Sequence, residues 1–175
     1  MKTTSALAFA LFALTAFGAA PQAQSDPLSD ADRIFVTEAL RQGLVEEELG
    51  RLAQVKSAQP SFVNVGKMLE RDRARMHQDL ITISKRHGLK LPTTPSEEDR
   101  KALAGLMGLR YGAFDELFKT TLIANTEQQL ALFRKAATDA TAADVRQLAE
   151  RAIPVLEAQL KMAQGLVPNR SVLYG

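Results

Sequence analysis

An all-α fold, an up-and-down four-helix bundle of ferritin-like type with one short extra helix, is what this sequence predicts. Three observations predict it. Apolar residues recur every three to four positions through long stretches. No stretch alternates polar with apolar residues as a half-buried strand does. Capping residues, prolines and glycines fall at the breaks between the stretches. The 175 residues, 46% hydrophobic and 24% charged, suffice for one domain with its own core.

The chain opens on Lys2, an apolar run from Ala6 to Phe17 and the small residues Gly18, Ala19 and Ala20, the three regions of a secretory signal. The run is shorter than the roughly 20 residues of a spanning helix, so residues 1–20 are expected to direct export and to be removed. Cleavage is expected at 18 to 23. Residues 21–28 read as a flexible leader, 29–167 as the bundle and 168–175 as a tail. No later stretch is apolar enough to span a bilayer, so no transmembrane helix is expected in the mature chain.

Ser29, Asp30 and Asp32 supply capping oxygens and first-turn acid for a first helix with the stripe Phe35, Ala39, Leu49, Ala53, ending near Ser57–Gln59 before Pro60. Pro60 suits the first turn of a second helix, which carries Val65, Leu69, Met76, Leu80 and Ile83 and stops at Gly88. Leu89 to Pro95 reads as a loop. Ser96 opens a short helix to about Met107, interrupted by Gly105, Gly108 and Gly112. A long helix follows from about Ala113 to Ala137, with Phe114, Phe118, Leu122, Leu130 and Phe133 inward. After a turn at Asp139–Ala143, the last helix runs to about Leu166. Pro154 lies inside it and predicts a bend, because it cannot donate to the Glu150 carbonyl.

A purely structural bundle keeps its stripes apolar, so polar residues at stripe positions show function or deliberate packing. Glu46 falls in phase with Phe35, Ala39, Leu49 and Ala53. Asp72 and Arg73 flank Leu69 and Met76, Thr126 follows Phe118 and Leu122, and Gln159 lies between Leu156 and Ala163. At a rise of about 1.5 Å per residue, their distances from the turns place all five near mid-bundle, in one polar core layer. The alternative is that each is a separate residue flanking the surface.

The sequence resembles a ferritin-like four-helix "domain of unknown function" family of bacterial envelope proteins, often labelled predicted outer membrane protein. The resemblance spans roughly Asp30 to Val167. It rests on Glu46-Glu47-Glu48-Leu49-Gly50-Arg51-Leu52-Ala53, Met68-Leu69-Glu70-Arg71-Asp72, Gly88 to Pro92, Phe114-Asp115 and Ile153-Pro154-Val155-Leu156. The resemblance implies histidines after the second-helix aspartate, before the glutamate of the third long helix and after the Leu of the last motif. Arg73, Thr126 and Gln159 stand there instead, while Glu46, Asp72 and Glu127 remain. Glu127 therefore joins the expected layer. A di-iron bundle site takes Glu-x-x-His from two helices, and no Glu-x-x-His occurs in this chain. Arg73 is expected to repel a divalent cation and to pair with Glu46, Asp72 or Glu127.

With no cysteine and 2 histidines, thiolate zinc sites, iron–sulfur clusters, disulfides and thiol nucleophiles are excluded. His77 and His87 lie far apart. His87, beside Gly88, reads as a helix C-terminal cation on exposed carbonyls. Lys85, Arg86 and Lys90 read as complements to the same dipole, and Glu47 and Glu48 as solvated acid. Gly105, Gly108 and Gly112 match no nucleotide-binding spacing, and neither Gly-x-Ser-x-Gly nor His-Glu-x-x-His occurs. Lys and Arg number 22 against 20 Asp and Glu; removing Lys2 leaves a formal net of +1, too little to argue for nucleic acid.

The expected function is an exported, non-enzymatic bundle that binds or builds in the envelope, periplasmic or peripheral to the outer membrane. It has no cofactor and no catalytic residue, and its metal site is lost. One alternative is a ferritin-like metal or oxidoreductase site using Glu46, Asp72 and Glu127. Another is a carrier whose bundle centre, opened at Pro154, takes a small apolar ligand or lipid.

Overall fold

The computed structural model describes residues 27–169, which form five α-helices and no strand. They are α1 (Asp30–Lys56), α2 (Pro60–Arg86), α3 (Glu97–Met107), α4 (Tyr111–Asp139) and α5 (Ala143–Gly165). The expected signal, most of the leader and residues 170–175 of the tail lie outside the described residues. Leu28, placed in the leader by the sequence, is buried in the core, so the packed region starts earlier than expected.

The helix boundaries follow local chemistry. The Ser29 hydroxyl accepts from the Asp32 amide at 3.1 Å, satisfying one of the donors that a helix start leaves free. Pro60 begins α2, where its missing N–H costs nothing. Gly88, at φ 66°, takes the left-handed turn that ends it. Ser96 and Asp99 form a reciprocal capping box on α3.

The reading of the three glycines needs correction. Gly105 lies inside α3 and Gly112 inside α4, so of the three glycines only Gly108, capping α3, marks a break. The long helix consequently starts at Tyr111, whose φ of 52° makes the reversal that the glycines had suggested. In α5 the element runs on through Pro154, and Pro154 and Glu150 are both exposed, so the carbonyl left without a donor lies on an exposed stretch of the helix.

α1 packs on α2 and α4 on α5; α1 and α4 then join the two hairpins, while α2 and α5 meet along a shorter stretch. The α1–α2 crossing is close because Gly50 faces Gly66. A Cβ on Gly50 would stand 2.7 Å from the Gly66 carbonyl oxygen. The short α3 is tied to α1 by an Arg41–Asp99 ion pair and buries Leu103 and Leu106. The apolar core falls into two clusters. One gathers Phe35, Leu40, Leu80, Phe133, Leu148 and Leu156. The other gathers Leu49, Phe62, Leu69, Phe114, Phe118 and Leu122.

Candidate functional site

The boundary between the two clusters is polar. On each of the four long helices, the buried polar residue stands where one cluster ends and the other begins. Glu46 on α1, Arg73 on α2, Thr126 and Gln129 on α4 and Gln159 on α5 are all buried. Heptad-like spacing carries each helix's inward stripe through this level, so the side chains converge there.

Glu46, with no exposed surface, is ion-paired to the guanidinium of Arg73, which is 3% exposed. Gln129 Nε2 donates to Glu46 Oε1 at 2.9 Å. Arg73 Nη2 donates to Gln159 Oε1 at 2.7 Å, and Nη1 contacts Met76 Sδ at 3.8 Å. The Thr126 hydroxyl has two acceptors within reach, the Leu122 carbonyl at 2.8 Å and the Glu46 carboxylate. Burial pushes the Glu46 carboxyl above its ordinary range, and Arg73 and Thr126 pull against that push. Protonating Glu46 would leave Arg73 buried without a counter-charge, so the guanidinium opposes it. Arg73 Nε and Gln129 Oε1 are buried without a hydrogen-bond partner among the described residues, a desolvation cost the layer carries.

The other expected members lie elsewhere. Asp72 stands at the half-buried edge, accepting from Gln159 Nε2 at 3.4 Å and from Arg71 at 3.1 Å. Glu127 is exposed: it directly follows the inward Thr126, and one residue along a helix turns the side chain by about 100°. Gln129, three residues past Thr126, is the member that sequence reasoning missed. Its spacing from Thr126 was the available signal.

Two buried aspartates were also unforeseen as partners. Asp32 accepts from the Thr141 hydroxyl at 2.6 Å and from the Ala142 amide at 3.0 Å, so it caps α5 from the start of α1. Burial raises its carboxyl, but those bonds and the Ser29 hydroxyl outweigh burial and hold it below the usual range. Asp115 accepts from Gln59 Nε2 at 2.6 Å and fastens α4 to the α1–α2 turn. His87 faces Asp144 at 3.1 Å and does not serve only its own helix end, a correction to the reading above. His77 is half-buried on α2, beside Glu47.

The donor set does not fit a metal. Glu46 is taken by a cation and an amide, Asp72 by an amide and an arginine, and Glu127 points to solvent. Among the described residues no three His, Asp or Glu side chains gather closely enough to hold an ion. What the layer does chemically is couple four helices through one fixed charge pair and its amides.

A family model described as Domain of unknown function (DUF4142) matches residues 17–166. The chain belongs to the DUF4142 family. A comparison with curated proteins finds no match. A crystal structure of a DUF305 fragment from Deinococcus radiodurans superposes with a TM-score of 0.71 at 16% identity, covering 79% of this chain and 96% of that one. At that identity the likeness extends this DUF4142 member's helical fold to a second group and carries nothing about activity. None of the helices among the described residues is long and apolar enough to cross a membrane.

Proposed function

We propose that this DUF4142 chain is an exported, non-catalytic bundle protein of the cell envelope, periplasmic or peripheral to the outer membrane. In it an internal arginine does the work that a metal does in ferritin-like bundles. The leading residues 1–20 serve as the signal, and residues 29–167 are the working domain. The four long helices are read as an up-and-down, ferritin-like bundle with α3 inserted between its halves. The hairpin pairing of α1 with α2 and of α4 with α5 supports that reading.

The observation that carries the proposal is the Arg73–Glu46 pair between the two core clusters. A guanidinium against the one fully buried glutamate places fixed positive charge where a di-metal bundle places its ions. The test of export is the intact mass of the protein recovered from the periplasmic fraction. A mass matching a start between about residues 19 and 24 supports it, and a full-length mass from cells with working export overturns it.

A further inference from the structure

The opening at the α2–α5 seam is not accounted for by the layer or the core. There a groove of about 310 Å³ runs along the surface, at the low end of small-ligand sites. α2 supplies Asp72, Arg75, Met76 and Asp79, one stripe at i, i+3, i+4 and i+7. α5 supplies Leu148, Arg151, Ala152 and Val155 at the same spacing, beside Pro154. Leu148 and Ala152 are buried and form the floor, and Met76 is half-buried at the side. Val155 is 44% exposed on the groove, and Met162, 40% exposed, stands two turns farther along the same stripe.

The charges at this groove are unspent. Asp72 is occupied by Gln159 and Arg71, but Arg75, Asp79 and Arg151 form no ion pair among the described residues. Two cations and two anions therefore border an apolar track, and with Asp72 taken, two cations and one anion are left without an ion pair among the described residues. That pattern matches an amphiphile whose head carries a phosphate next to an ammonium. The arginines bind the phosphate, as planar guanidinium groups do, and Asp79 binds the ammonium. A second copy of the chain fits less well. A stable dimer buries about 1,600 Å², whereas this stripe of α5 exposes only two large apolar side chains, Val155 and Met162.

We infer that the α2–α5 groove binds a single-chain zwitterionic phospholipid, the head end of its acyl chain on Leu148, Ala152 and Val155 and the headgroup between Arg75, Arg151 and Asp79. The inference gives the proposed envelope protein its ligand and rests on that reading only for where the lipid is met. Binding is measured on purified protein and export on cell fractions, so the two fail separately.

The test is isothermal titration of the purified chain with dodecylphosphocholine below its micelle concentration. Dodecyl maltoside supplies the same chain without the charges, and phosphocholine supplies the same head without the chain. Saturable one-to-one binding of the first, at least tenfold tighter than either control, is the expected result. Arg151→Glu should weaken it at least tenfold, and Val155→Asp should abolish it. Both positions are exposed, and circular dichroism checks that each variant is folded; Arg75→Glu replaces any that is not. Equal affinity for dodecyl maltoside, equal affinity for phosphocholine, no saturable binding, or unaffected binding by the folded variants would each overturn the inference. So would a dimer in solution that Val155→Asp dissociates, since it assigns the groove to a second copy.

Discussion

Removing either member of the Arg73–Glu46 pair leaves a charge inside the bundle with no water to solvate it. A stranded buried charge typically costs about 3 to 5 kcal/mol, against about 0 to 1 for an exposed pair. Arg73→Ala and Glu46→Ala should therefore each destabilise by about that larger amount in urea unfolding. The double variant should lose far less than their sum, because no charge is stranded in it. Small additive losses would contradict the buried pair. Asp32 makes a second residue-level prediction, with the opposite dependence on proton concentration to a group whose carboxyl is raised. Its carboxyl is held below the usual range by Thr141, Ala142 and Ser29 against burial. Its contribution is therefore fully present above the ordinary aspartate range and is lost as pH falls through the depressed folded-state value. Asp32→Asn should flatten the fall in stability between about pH 5 and about pH 2 relative to the unsubstituted protein, and unfolding curves across that range check it.

At the scale of elements, the glycines separate into opposite kinds. Gly66 lies against Gly50 so closely that an added Cβ would stand 2.5 Å from the Gly50 carbonyl oxygen. Alanine gains up to about 1 kcal/mol in helix propensity, but forcing two backbones apart costs about 1 to 3 kcal/mol, so Gly66→Ala should destabilise on balance. Gly105, in α3 with nothing within 4 Å of its Cβ position, should instead stabilise by about 0.5 to 1 kcal/mol as alanine. Thermal melts of the two variants should move in opposite directions. This contrast also shows where the sequence was readable. Periodicity and caps located Ser29, Pro60, Gly88 and Ser96 because each acts on its own few neighbours. Gly105 and Gly112 misled because a glycine's role depends on what packs against it, which spacing does not encode. The same limit hid the Asp32–Thr141 and Gln59–Asp115 contacts, which join residues distant in the chain. In the layer, phase counting reached Glu46, Arg73, Thr126 and Gln159. Glu127 entered through likeness to relatives, and Gln129 was passed over one turn away.

Across the whole molecule, the described residues form two apolar clusters joined through one ionic layer, in which Arg73 is proposed to fill the place of a cation. A charged layer is a weaker source of stability than apolar packing, but it fixes how four helices align, because only one register lets these partners meet. On this account the protein needs no metal to hold that register. Restoring nitrogen ligands should reverse the dependence: Arg73→His with Thr126→His and Gln159→His places imidazoles around Glu46, a donor set suited to a divalent ion. Thermal melting with and without micromolar zinc, manganese or ferrous iron, run on the unsubstituted protein and on this folded triple variant, is the most direct test. A ligand at a hundred times its dissociation constant adds about 2.7 kcal/mol, or roughly 5 to 10 °C for a domain of this size. A shift of that order is expected for the triple variant and a marginal one for the unsubstituted protein. A shift of many degrees in the unsubstituted protein, abolished by Glu46→Ala, would contradict it.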